Sequence, residues 1–121
     1  MFLKKICELL MKYFDARKEV ENNPVLSRDL DIHYNQFHDI MVNYVVKSKE
    51  EERKEALDYI EEELRIHGAK EIEYSQAVDD YREREDIRVK FEKLLLEERA
   101  KISELEGFKT IISSYVKVKE V

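Results

Sequence analysis

The chain has 121 residues, 41% of them charged, and 28 acidic against 22 basic side chains leave it a net charge of −6. Two glycines and one proline are too few for the turns of an all-β fold, and a chain rich in Glu, Lys, Leu and Arg has the composition of long helices. The acidity argues against nonspecific nucleic-acid binding, which needs a cationic face, and a single cysteine, Cys7, excludes an internal disulfide and a CxxC metal or redox pair.

A single helical domain spanning 1–121 is expected, of the all-α class, with about four helices packed as hairpins or a bundle. No run of about 18 apolar residues occurs, so no membrane span is expected. The opening segment MFLKKICELLMKYF has lysines inside its apolar run and no small-residue cleavage site after it. It reads as an amphipathic helix rather than a secretory signal, and the expected compartment is the reducing cytoplasm. Two Gln and four Asn among many Glu and Lys suggest a thermophilic source.

The first helix is predicted over 2–21, with Leu3, Ile6, Leu10, Tyr13, Arg17 and Val20 on one face and Cys7 and Phe14 beside it. Pro24 then disfavours helical geometry at Asn23. Asn is a good N-cap and Pro is comfortable at the first helical position, so a second helix is predicted over 24–47. In it Leu26, Leu30, His33, Phe37, Ile40 and Tyr44 step by 4, 3, 4, 3, 4, a coiled-coil-like seam. Tyr34, Met41 and Val45 form an adjoining stripe. A helix with two apolar stripes is expected to lie between partners, in the same chain or across an oligomer.

SKEE at 48–51 matches a capping box, so a third helix is predicted from about 49, with Leu57, Ile60, Leu64 and His67 on its face and Gly68 as its stop. One bent helix over both segments is the alternative. A fourth is predicted from about 70 to 106. It carries Tyr74, Val78 and Tyr81, then the charged REREDIR, then Ile87, Phe91, Leu94, Leu95, Ile102 and Leu105, and continuity through the charged patch is preferred to a turn. Gly107 is read as an interruption. The tail FKTIISSYVKVKEV suits a strand by its β-branched residues or a short helix by Ile111, Ile112, Tyr115 and Val116.

Candidate chemistry is thin. Asp29 with His33, and Glu63 with His67, are spaced i, i+4, as metal-sharing pairs on a helix are. Neither a Glu-x-x-His nor an HExxH motif accompanies them, and hydrogen-bonded or partly exposed histidines, His38 included, are the preferred reading. Glu51, Glu55, Asp58 and Glu62 cluster on the third helix. Glu52 with Glu55 and Glu55 with Asp58 have the spacings with which helical nucleotide pyrophosphatases hold magnesium, but Arg53 and Lys54 interleave, and a solvated face of i, i+4 pairs is preferred. Cys7 reads as a buried apolar-like thiol, and two glycines provide no phosphate cradle. No catalytic residue, cofactor or metal is expected. The seven tyrosines and five phenylalanines, many in stripes, suit helix–helix association. Filling a single intramolecular core is the plainer alternative.

The pattern Tyr13, Ala16, Val20, Asn23, Leu26 and Leu30 resembles the first helical hairpin of the YlbF/YmcA family: an aromatic, a small apolar, a branched apolar, a short Asn/Asp turn and an apolar helix. The similarity centres on residues 13–34. RKEALDYIEEEL (53–64) and VKFEKLLLEERAKI (89–102) are similar to the later family helices. The resemblance implies a non-enzymatic, oligomeric regulatory or accessory factor, some relatives of which act beside RNA-processing machinery. The expected function is therefore a non-catalytic interaction or assembly protein, a homo-oligomer or partner binder working through Leu26, Leu30, His33, Phe37, Ile40 and Tyr44. The alternatives are a magnesium-dependent pyrophosphatase-like enzyme and a viral or phage structural or adaptor protein.

Overall fold

The computed structural model describes residues 2–120, and the side chains of residues 2–114. It is all-α: helices α1 (Phe2–Glu19), α2 (Pro24–Lys47), α3 (Glu50–Asp80) and α4 (Glu85–Glu120) follow one another, and no described residue lies in a strand. No helix among the described residues is long and apolar enough to cross a membrane. Packing divides the chain into two compact units. One takes the residues up to Tyr59 together with those from Phe108 onward, the other Ile60–Gly107.

The joint between α1 and α2 follows from its sequence. The Asn23 side chain accepts the Leu26 amide at 3.2 Å from an extended backbone, and Pro24 opens α2. The cap contributes about 1 kcal/mol, because an orphan N–H of the first turn gains a partner. Where α2 gives way to α3, the expected capping box does not form. Ser48 is instead the C-cap of α2, donating its hydroxyl to the Val45 carbonyl at 2.7 Å. The buried Arg53 reaches back to the Ser48 carbonyl and hydroxyl, so the corner is fixed from the α3 side and α2 and α3 are separate helices.

The first unit has a core of Leu3, Ile6, Cys7, Leu10 and Met11 from α1 and Tyr34, Met41 and Val45 from α2, joined by Ala56, Phe108 and Ile112. Each fully buried Leu or Ile contributes about 1.5–3 kcal/mol. The Cys7 thiol lies 3.8 Å from the Met41 sulfur, and burial, with Glu8 nearby, pushes its pKa up to about 12. It is a packing group, held as the unreactive thiol.

The second unit is an antiparallel pair made by the later part of α3 and the earlier part of α4. Three expectations are corrected here. Gly68 does not stop a helix, because α3 runs through it: the apolar face of Ile60, Leu64 and His67 continues into Tyr74 and Val78, and burial along that face outweighs the roughly 1 kcal/mol that a mid-helix glycine costs. The helix expected to continue through REREDIR breaks there. Residues 81–84 turn, with Arg84 N–H bonded to the Tyr81 carbonyl at 2.9 Å and Arg88 donating to the Arg82 carbonyl at 2.8 Å. Folding back sets Phe91 against Tyr74 at 6.1 Å and Tyr81 at 5.9 Å, contacts a straight helix could not make. Gly107 interrupts nothing, and the segment after it is helix to Glu120. Of the tail residues considered for a helix face, Tyr115 and Val116 lie outside the residues whose side chains are described.

Both glycines are helical with φ negative and nothing within 4 Å of where a Cβ would stand. Gly68→Ala is expected to stabilise the protein by about 1 kcal/mol, read as a raised midpoint in thermal unfolding. A lowered midpoint would mean that the helix is not built through residue 68 as described.

Candidate interaction face

The buried stripe of α2 is Tyr34, Met41 and Val45, not the 4-3-4-3-4 seam. The seam residues stay open to differing degrees. Leu26 and Ile40 are 49% and 43% exposed, His33 is exposed, and Leu30, Phe37 and Tyr44 are half-buried. What half-covers them is α1. Phe2 meets Tyr44 edge-to-face at 4.6 Å, and Tyr13 stacks on Phe37 at 5.5 Å and beside His33 at 6.4 Å.

These contacts expose a pattern in α1 of which the reading of its sequence had only Ile6, Tyr13 and Val20, as part of another stripe. Phe2, Ile6, Leu9, Tyr13, Ala16 and Val20 also step by 4, 3, 4, 3, 4. Run antiparallel, this α1 seam matches the α2 seam residue for residue, and the Phe2–Tyr44 and Tyr13–His33 pairs are two rungs of the match. The stronger run of Leu3, Cys7, Leu10 and Met11 on the neighbouring face masked it. The α1–α2 hairpin thus has two apolar faces, which meet at Ile6, a seam position that is itself buried at 2% exposure. One is buried in the core of its unit. The other keeps Phe2, Leu9, Leu26 and Ile40 more than a third exposed, with Tyr13, Phe37 and Tyr44 half-buried among them.

The face is anchored at both ends. Tyr44 donates its hydroxyl to a Glu52 carboxylate oxygen at 2.7 Å, a bond that, with some burial, raises the phenol's pKa above its ordinary value. At the other end Arg17 pairs with Asp31 at 3.0 Å and lies over the Tyr34 ring at 5.7 Å. Such restraints limit the rotamer freedom that association would otherwise have to freeze.

The remaining candidates are more scattered. Glu52 is engaged by Tyr44, Glu55 is half-buried, and Asp58 is exposed on α3. Asp29 and His33 are both exposed, and His38 lies between the Tyr34 and Phe108 rings. Among the described residues no three His, Cys, Asp or Glu side chains come together in an arrangement that could hold a metal ion. The Glu63–His67 pair does form, at 3.2 Å, and the second unit adds a partner that spacing along one helix could not show: Glu98 of α4 lies 2.6 Å from the other ring nitrogen of His67. In the comparisons with known proteins, no family model, curated protein or solved structure matches this chain.

Proposed function

We propose that this protein is a non-enzymatic assembly or accessory factor of the cytoplasm that works through the open face of the α1–α2 hairpin, and that the first occupant of that face is a second copy of the chain. The observation that carries this reading is the division of α2: its core stripe is buried within its own unit, while Leu26 and Ile40 of α2 and Phe2 and Leu9 of α1 stay exposed. An apolar surface that spans two helices in register is characteristic of association sites.

Charge at the rim favours a second copy in antiparallel orientation. Lys5 and Glu19 flank the α1 seam near its opposite ends, and Asp29 and Lys47 flank the α2 seam near its opposite ends, all four exposed and each three or four residues from a seam position. A two-fold-related copy brings Lys5 toward the second copy's Glu19 and Asp29 toward its Lys47, whereas a parallel copy opposes like charges. Exposed pairs contribute at most about 1 kcal/mol each, so they set orientation while the aromatic and aliphatic residues supply affinity. Lys12, midway along the α1 rim, meets its own counterpart near the axis and weakens the dimer at low salt. The resemblance of residues 13–34 to the YlbF/YmcA hairpin supports the same kind of function.

The test is an NMR experiment on a mixture of isotope-labelled and unlabelled chain. The methyl groups of Leu26, Leu30 and Ile40 are expected to show intermolecular contacts to aromatic protons of Phe37 and Tyr44. Contacts confined to Val42 and Val46, which lie round the back of α2, would contradict the assignment of the face. No intermolecular contact at any concentration would contradict self-association and leave a helical partner of another sequence as the occupant to seek.

A further inference from the structure

Midway along the second unit, a position that the apolar face of α3 would give to a hydrophobic residue holds His67, and Glu98 stands opposite on α4. Both are buried, at 9% and 6% exposure. His67 Nδ1 is 2.6 Å from a Glu98 carboxylate oxygen and Nε2 is 3.2 Å from one of Glu63. Both ring nitrogens therefore face carboxylate oxygens at hydrogen-bond distance.

A neutral imidazole has one N–H and one lone pair. Between two ionised carboxylates it satisfies one, and its lone pair meets the other's oxygen. Both bonds form only if the cluster holds one more proton, either on the ring, which then donates from both nitrogens, or on one of the two carboxyls, which then donates to the ring nitrogen that faces it. The extra proton belongs to the cluster as a unit. Other charged groups stand close by, Lys70 on α3 and Glu97 on α4 among them. On α3, Glu71 lies one turn along from His67. On α4, Arg99 adjoins Glu98 and pairs with Glu71 at 3.7 Å, and Lys101 lies one turn beyond Glu98.

We propose that Glu63, His67 and Glu98 form a proton-operated clasp between α3 and α4 of the second unit. With the proton in place the clasp fixes the register of the two helices, as a lone polar position does in a coiled coil, and charge assistance shortens its bonds. When the proton leaves, a lone pair and a carboxylate are left facing each other in a buried site, and the pairing of the two helices loosens. The folded form binds one proton that the separated groups do not hold between them, so the clasp's contribution to stability is present at lower pH and is lost as pH rises.

The test compares the wild type with His67→Gln, which carries no titrating ring, by urea unfolding at about pH 5.5, 6.5, 7.5 and 8.5. The folding constant of the wild type relative to the variant is expected to fall about tenfold across the series, the effect of one lost charge-assisted hydrogen bond. A ratio that stays constant overturns the proposal. Should His67→Gln fail to fold, nitrogen NMR of the wild-type ring decides. Loss of the cluster's proton with rising pH, in step with faster amide exchange near Leu64 and Leu95, supports the clasp, and a ring that titrates while those amides stay equally protected overturns it.

Discussion

Phe108→Ala is expected to cost about 3–5 kcal/mol of unfolding free energy, a large part of the 5–15 kcal/mol that holds a typical domain together. Phe108 is the largest of the fully buried side chains, at 1% exposure. It comes from α4, yet its ring lies 6.3 Å from His38 of α2. Truncation removes most of its apolar area and leaves a cavity that α1, α2 and the rest of the core cannot readily close. Thermal or urea unfolding measures the cost, and Phe108→Leu, which keeps most of the volume, is expected to lose much less. A loss below about 1 kcal/mol for the alanine variant would mean that this end of α4 is not part of the core.

This prediction also marks where sequence reasoning reached its limit. Gly107 and the β-branched run after it argued locally for an interruption, and Phe108 fell on the far side of it, so its burial could not be anticipated. A glycine costs a helix about 1 kcal/mol, while the burial of Phe108 and Ile112 is worth several times that. Tertiary packing decided, as it did at Gly68. The turn at 81–84 was hidden for the opposite reason. No glycine or proline marks it, and its cause is the non-local stacking of Tyr81 on Phe91. Local signals did identify what local chemistry controls: the Asn23 cap, Pro24 at the start of α2, and the two stripes of α2. Which stripe is buried depended on α1 and α4. Glu98 could not be linked to His67 before the α3–α4 pairing fixed them opposite one another.

Ile40→Glu is the second variant with a large expected effect, and its effect is on association rather than folding. Phe37→Glu and Tyr44→Glu are expected to break assembly too, but Phe37 stacks on Tyr13 and Tyr44 bonds Glu52, so either change also disturbs the chain itself. Ile40 is 43% exposed, and a carboxylate there remains hydrated in the isolated chain, with a stability change within about 0.5 kcal/mol. In the two-fold dimer it would be buried without a partner, which costs about 3 kcal/mol or more for each copy. The dissociation constant is expected to rise about ten-thousandfold or more. Val46→Glu is the matched control. Val46 is 59% exposed on the same helix but turned away from the seam, and its substitution is expected to leave association unchanged.

Light scattering on the wild type, Ile40→Glu and Val46→Glu at equal concentration, with helical content checked by circular dichroism, tests the role of the face most directly. The expected result is a dimer or higher oligomer for the wild type and for Val46→Glu, and a folded monomer for Ile40→Glu. A folded Ile40→Glu that keeps the wild-type oligomeric mass, or a wild type that is monomeric throughout, would contradict assembly through the α1–α2 face.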